Sequence, residues 1–199
     1  MTSRSIIGTA AVLVAACGTE PDSATQPEAS PSPGVMTAPP RDDVPASEPR
    51  PVDIGDEPLA HAESSMAALG EAIVVALNEQ DEAALIALSV DQQEFTQRLF
   101  PALVSHPNML RLGSEFAWTN QDRENRGDRA RALREHGGKG YAFVALEPTA
   151  SEPRPGLVVY RKPDLRVRDA EGNELQLRIL GVVIEHPASG TLSILNFRG

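Results

Sequence analysis

Ten of the seventeen prolines stand between Pro21 and Pro58, and that clustering decides where this chain can fold. Proline fixes φ and offers no N–H, so a stretch this rich in it supports neither helix interior nor central strand. Between the prolines lie Ser, Thr, Ala and Glu, and the few apolar residues (Val35, Met36, Val44, Val52, Ile54) follow no period. Such a segment cannot bury enough surface to offset its ordering entropy. Residues 18–57 therefore read as a disordered spacer, partly polyproline II, with a root-mean-square reach of about 35 Å. The spacer is acidic: Glu20, Asp22, Glu28, Asp42, Asp43, Glu48, Asp53, Asp56 and Glu57 face only Arg41 and Arg50, which accounts for seven of the chain's ten net negative charges. It repels an anionic lipid surface and holds the rest of the chain away from it.

Residues 58–199 remain for a single folded domain with one core. Leu59, Ala62, Met66, Leu69, Ile73 and Ala76 recur at helical spacing, with Asp56 as cap and Pro58 in the first turn. Asn78-Glu79-Gln80-Asp81 ends that helix, and Ala84, Leu85 and Leu88 make a second. Asp91 and Glu94 form a capping-box pattern for a third, which carries Phe95 and Leu99 and stops at Pro101. Residues 101–118 read as a connection anchored by Phe116 and Trp118, and Thr119 as the cap of a fourth helix ending at Gly137. In that helix Arg123, Arg126, Arg129, Arg131 and Arg134 mix with Asp122, Glu124, Asp128 and Glu135, which reads as a solvated face and not as a nucleic-acid surface.

The second half changes to strand patterns. They cover 141–147, 157–162 (interrupted at Pro163 and resumed at 165–168), 175–179, 180–184 and 191–197. Leu175, Leu177 and Ile179 face one way, and Arg178 the other. The turns at 169–173 and 186–190 are short, so neighbouring strands pair antiparallel. Helices followed by a strand meander make an α+β domain.

The amino terminus has its own pattern. Arg4 precedes an apolar run from Ile6 to Ala16, too short for a membrane span, which needs about 20 residues, and of signal-peptide length. It ends at Val14-Ala15-Ala16-Cys17, which resembles the lipobox of bacterial lipoproteins. The resemblance implies a signal peptide over 1–16, diacylglyceryl transfer to the Cys17 thiol, cleavage before Cys17 and acylation there. The partner is then a membrane, reached through an anchor of two or more chains. Gly18 lacks the Asp of an inner-membrane retention signal, which favours an outer membrane where the cell has one. Cys17 is the single cysteine, so the mature domain has no disulfide or thiol chemistry.

Ala76-Leu77-Asn78-Glu79-Gln80-Asp81-Glu82-Ala83-Ala84-Leu85 is similar to the helix–turn–helix opening of NTF2-like and cystatin-like domains, which implies helices packed into the concave face of a curved sheet. Glu94-Phe95, Leu99-Phe100-Pro101, Phe116-Ala117-Trp118, His136-Gly137-Gly138, Val167-Arg168-Asp169-Ala170-Glu171-Gly172, and Leu177-Arg178 through Ile184-Glu185 resemble a set of exported bacterial proteins with no assigned activity.

Catalytic signatures are missing from the sequence. His61, His106, His136 and His186 are scattered and make no metal-ligand spacing. His136-Gly137-Gly138-Lys139-Gly140 lacks the spacing of a phosphate loop, and Ser151 and Ser189 have no base evident in the sequence. No cofactor is implied. The candidate ligand contacts are Arg178, Asp169, Glu185 and Tyr160, with Arg178 as a guanidinium that would need a carboxylate or an anionic ligand if buried. Two functions are open: a non-enzymatic module that binds another envelope component such as a protein, or a small pocket enzyme or carrier of a small-molecule ligand. A polar pocket enclosed by the cone would favour the second, and a cone filled by side chains the first.

Overall fold

The computed structural model describes residues 54–198 apart from Ser105, so the signal peptide, Cys17 and the spacer up to residue 53 lie outside the described residues. The described part is α+β, helices first and antiparallel sheets after. None of its helices is long and apolar enough to cross a membrane.

Ser65, not Asp56, caps the first helix. Its Oγ accepts from the Ala68 amide at 3.1 Å, and α1 runs over Met66–Glu79. Leu59 and Ala62 match the helical period only by coincidence. Residues 54–63 form an extended strap, and Glu63 exchanges two backbone hydrogen bonds of 2.8 Å with Leu192. Gln80 closes α1 in the left-handed region (φ 56°), and Asp81 caps α2 (Glu82–Ala87) through the Ala84 amide. Gly70 lets α1 approach β1 closely, since a Cβ there would overlap the Phe143 ring.

Asp91 caps α3 (Gln92–Glu94), accepting from the Glu94 amide at 2.7 Å. Pro101 does not stop the helix. The chain passes through a π-helical turn, Phe95–Leu99, into α4 (Phe100–Leu103), and Pro101 sits in the first turn of α4. The wider turn makes room for the ring, and a first-turn residue needs no amide donor. The expected connection to residue 118 is likewise helical. It holds α5 (Pro107–Leu112), Gly113 at φ +86°, and the start of α6 (Ser114–His136). Thr119 is inside α6 and bonds the Glu115 carbonyl. Trp118 packs on Phe95 with ring centres 5.5 Å apart, whereas Phe116 stays exposed.

The strands form one sheet order of β1 (Ala142–Glu147), β4 (Asp164–Arg168), β5 (Glu174–Leu177), and another of β2 (Ala150–Arg154), β3 (Leu157–Arg161), β6 (Leu180–His186), β7 (Thr191–Phe197), antiparallel throughout. Residues 142–154, 157–168 and 174–186 are thus three long meander strands, each interrupted at one level. The interruptions fall at Pro148-Thr149, Lys162-Pro163 and Arg178-Ile179. Pro163 lacks a ladder donor and Lys162 takes φ +49°, so pairing cannot run through. The Lys162 amide instead bonds the Gly181 carbonyl at 2.7 Å.

One core layer joins Leu69, Ile73 and Leu77 of α1 to Leu146, Leu165, Leu177, Val183 and Ile194 of the strands. A second joins Ile54 and Leu59 of the strap and Phe95, Leu99 and Phe100 to Val159, Ile184 and Leu195. The larger sheet is covered on both faces, which explains why the strand around Val182-Val183-Ile184 is apolar without alternation. Leu175 departs from the alternation expected of its strand. It is exposed on β5, the edge strand of its sheet.

Polar side chains fasten the strap. Arg98 donates to the carbonyls of Ile54 (3.1 Å), Pro58 (3.1 Å) and Glu57, and to Glu94 Oε1 (3.2 Å). Glu94 Oε1 also accepts from the Ala60 amide at 3.0 Å, so Glu94 turns inward and does not complete a capping box. Burial pushes its carboxyl above the ordinary 4.5, against the opposing pull of the Ala60 amide and Arg98. His186, buried, bridges Gly55 O and Ser189 Oγ, both at 2.9 Å. Residues 54–57, assigned by composition to the spacer, are therefore packed onto the domain, with Ile54 buried.

Candidate functional site

Of the four residues singled out in the sequence, Tyr160 and Glu185 come together, and Asp169 and Arg178 stand apart from them. Tyr160 on β3 donates its hydroxyl to the Glu185 carboxylate on β6, and that bond pushes the phenol up to about 12. A phenol held protonated in this way is a poor general base. Asp169 closes the β4–β5 turn, where Asn173 donates to both its oxygens (2.8 and 3.1 Å) and holds its carboxyl below the usual range. Arg178 does not lie on a central strand. It occupies the interruption between β5 and β6 and is exposed. Cys17 lies outside the described residues.

A serine–histidine contact exists that the sequence did not suggest. Ser189 Oγ lies 2.9 Å from His186 Nδ1. The same hydroxyl is 2.7 Å from Thr191 Oγ1 and 3.3 Å from the His186 carbonyl, and it closes the β6–β7 turn. An oxygen committed to three neighbours in a tight turn is a cap and not a nucleophile. Among the described residues no group of three metal-ligating side chains occurs.

An open cleft of about 320 Å³ lies between α2 and α6. Ala83, Ile86, Ala87 and Val90 give it an apolar wall, and Trp118, Asn125 and Arg129 line it from α6. Asn125 sets the geometry. Its Nδ2 donates to the Leu195 carbonyl (3.1 Å) and its Oδ1 accepts from the Phe197 amide (3.0 Å), which docks α6 on β7. One helical turn further on, Arg129 is buried at 6% exposure. Its guanidinium stands over the Phe197 ring at 6.0 Å, its Nε has no hydrogen-bond partner, and the Glu82 carboxylate is 3.8 Å away and half-exposed.

No family model, curated protein or solved structure significantly matches the chain.

The buried guanidinium is at Arg129, which the charge pattern assigned to a solvated face, whereas Arg178 is exposed. Arg126 and Arg131 do pair at the surface, with Asp122 and Asp128. The acidic groups around the cleft are engaged as well. Asp91 Oδ1 caps α3 and its Oδ2 lies 3.5 Å from His61 Nε2, while Asp122 holds Arg126. The cleft offers an under-satisfied cation beside an apolar wall.

Proposed function

We propose that the chain is an envelope lipoprotein whose folded domain is a non-enzymatic binding module, carried on a lipid at Cys17, with the α2–α6 cleft as its ligand site. The observation that carries this reading is the cleft itself, with a buried guanidinium short of acceptors on its floor. The side chains of Leu69, Ile73, Leu77, Leu165 and Val183 pack together between α1 and the strands, which supports the module reading. The same proposal takes the interrupted meander as a cone of the NTF2-like or cystatin-like kind. Supporting it are the three interruptions at one level and the packing of α1 on the strands.

Two measurements test the reading. Intact mass of protein purified from membranes should show acyl chains on a mature chain beginning at Cys17, and Cys17→Ala should give an uncut precursor or a soluble form. An unmodified Cys17 on exported protein would remove the anchor. For the cleft, Trp118 is the chain's single tryptophan and lines the site, so its emission reports occupancy. A screen of small-molecule fragments should yield compounds that shift Trp118 emission saturably. Ala87→Phe, which fills the cleft from an exposed position, should abolish those shifts without changing the melting temperature. Shifts that survive Ala87→Phe would place binding elsewhere.

A further inference from the structure

Arg129 stands apart from the other α6 arginines. A guanidinium has five N–H donors and cannot shed its charge. Among the described residues the Arg129 guanidinium makes no hydrogen bond, and its nearest carboxylate, Glu82, is at 3.8 Å, beyond bonding distance. The neighbouring polar groups are turned to other partners: Asn125 bonds the Leu195 carbonyl and the Phe197 amide, and Ser89 Oγ donates to the Leu85 carbonyl at 2.8 Å. A buried ion left without acceptors lowers stability, and an apolar side chain of similar volume packed on Phe197 would cost less. A ligand entering the open cleft can supply the acceptor that the buried Nε lacks.

We infer that the ligand of this cleft is a singly charged carboxylate on a small apolar body, bound by Arg129. The inference rests on the cleft being the binding site. The charge comes from the count of partners. One planar fork matches one carboxylate, whereas a phosphate dianion would meet a single cation with Asp91, Asp122 and Glu82 close by. The body comes from the wall of Ala83, Ile86, Ala87, Val90 and Trp118. A volume of about 320 Å³ lies at the small end of ligand sites.

The experiment compares benzoate with benzamide, which share a shape and differ in charge. Trp118 emission and the Nε–H resonance of Arg129 are followed during titration of each. Benzoate should bind on the order of tenfold or more tightly than benzamide, as expected for a hydrogen bond to a charged group. It should also move the Arg129 resonance. Glu82→Gln removes the one competing carboxylate and should tighten benzoate several-fold. Arg129→Met should erase the preference for benzoate while melting at or above the wild-type temperature. Equal binding of the two probes by the wild-type chain would overturn the carboxylate assignment and leave the cleft as a binding site. Failure of both probes to move Trp118 or Arg129 would remove the assignment and the cleft together. An Arg129→Met melting temperature well below wild type, with Glu82→Gln equally damaging, would make the guanidinium a structural partner of Glu82 and overturn the inference.

Discussion

Arg98→Met is expected to lower stability by about 3–5 kcal/mol, the range for removing one partner of a buried ion pair. Arg98 is the only side chain that holds three strap carbonyls, those of Ile54, Glu57 and Pro58, among the described residues. Its loss also strands the Glu94 carboxylate, whose side chain is 4% exposed. Arg98 itself is 22% exposed, so water can replace some of its bonds and the loss should fall toward the lower end. The strap should then open. Amide exchange over residues 54–63 should rise by orders of magnitude, and a protease should trim the chain back toward Ser65. Wild-type exchange rates in the variant would remove the latch role. The pH dependence gives a second check. The folded Glu94 carboxyl sits above 4.5, so the native state holds that proton more tightly than the unfolded chain. Its contribution is full below 4.5 and is lost as the pH rises through the raised value. Glu94→Gln should flatten that part of the stability profile. In Arg98→Met the profile should steepen, because the neighbouring cation no longer offsets burial, and the cost of the substitution should shrink near pH 4.

Leu177→Ala is expected to cost about 2–5 kcal/mol, measured by denaturant melts, and Arg178→Ala well under 1 kcal/mol. Leu177 is 4% exposed and pairs across the ladder with Leu165, itself fully buried, at the end of β5. Truncation leaves a cavity between the lower strands and α1. Arg178, the next residue, is exposed in the strand interruption and makes no hydrogen bond or ion pair among the described residues. A large loss at Arg178 would mean that the interruption is held by its guanidinium, and it would return this residue to the candidate ligand contacts.

Local chemistry carried much of the fold into the sequence. Asp91 marked the start of α3, because a short carboxylate beside a free amide acts within three residues of itself. Gly137 ended α6, Pro163 interrupted a strand, and the turn residues at 169–173 and 186–190 gave the antiparallel meander. The strap was not legible, since Leu59 and Ala62 fit a helical period equally well, and Leu192, Glu94 and Arg98 had to be in place before extended backbone was favoured. The site was not legible for a related reason.

Sequence alone determined that helices come first and antiparallel strands after, because caps, turns and apolar periods rest on neighbours within a few residues. Tertiary structure decided which arginine is buried. Five arginines lie on one polar helix with no period to tell them apart. Only the docking of α6 by Asn125 onto β7, which brings Phe197 under one guanidinium and Glu82 just short of it, selects Arg129. Burial of a charge is set by what the rest of the chain places around it.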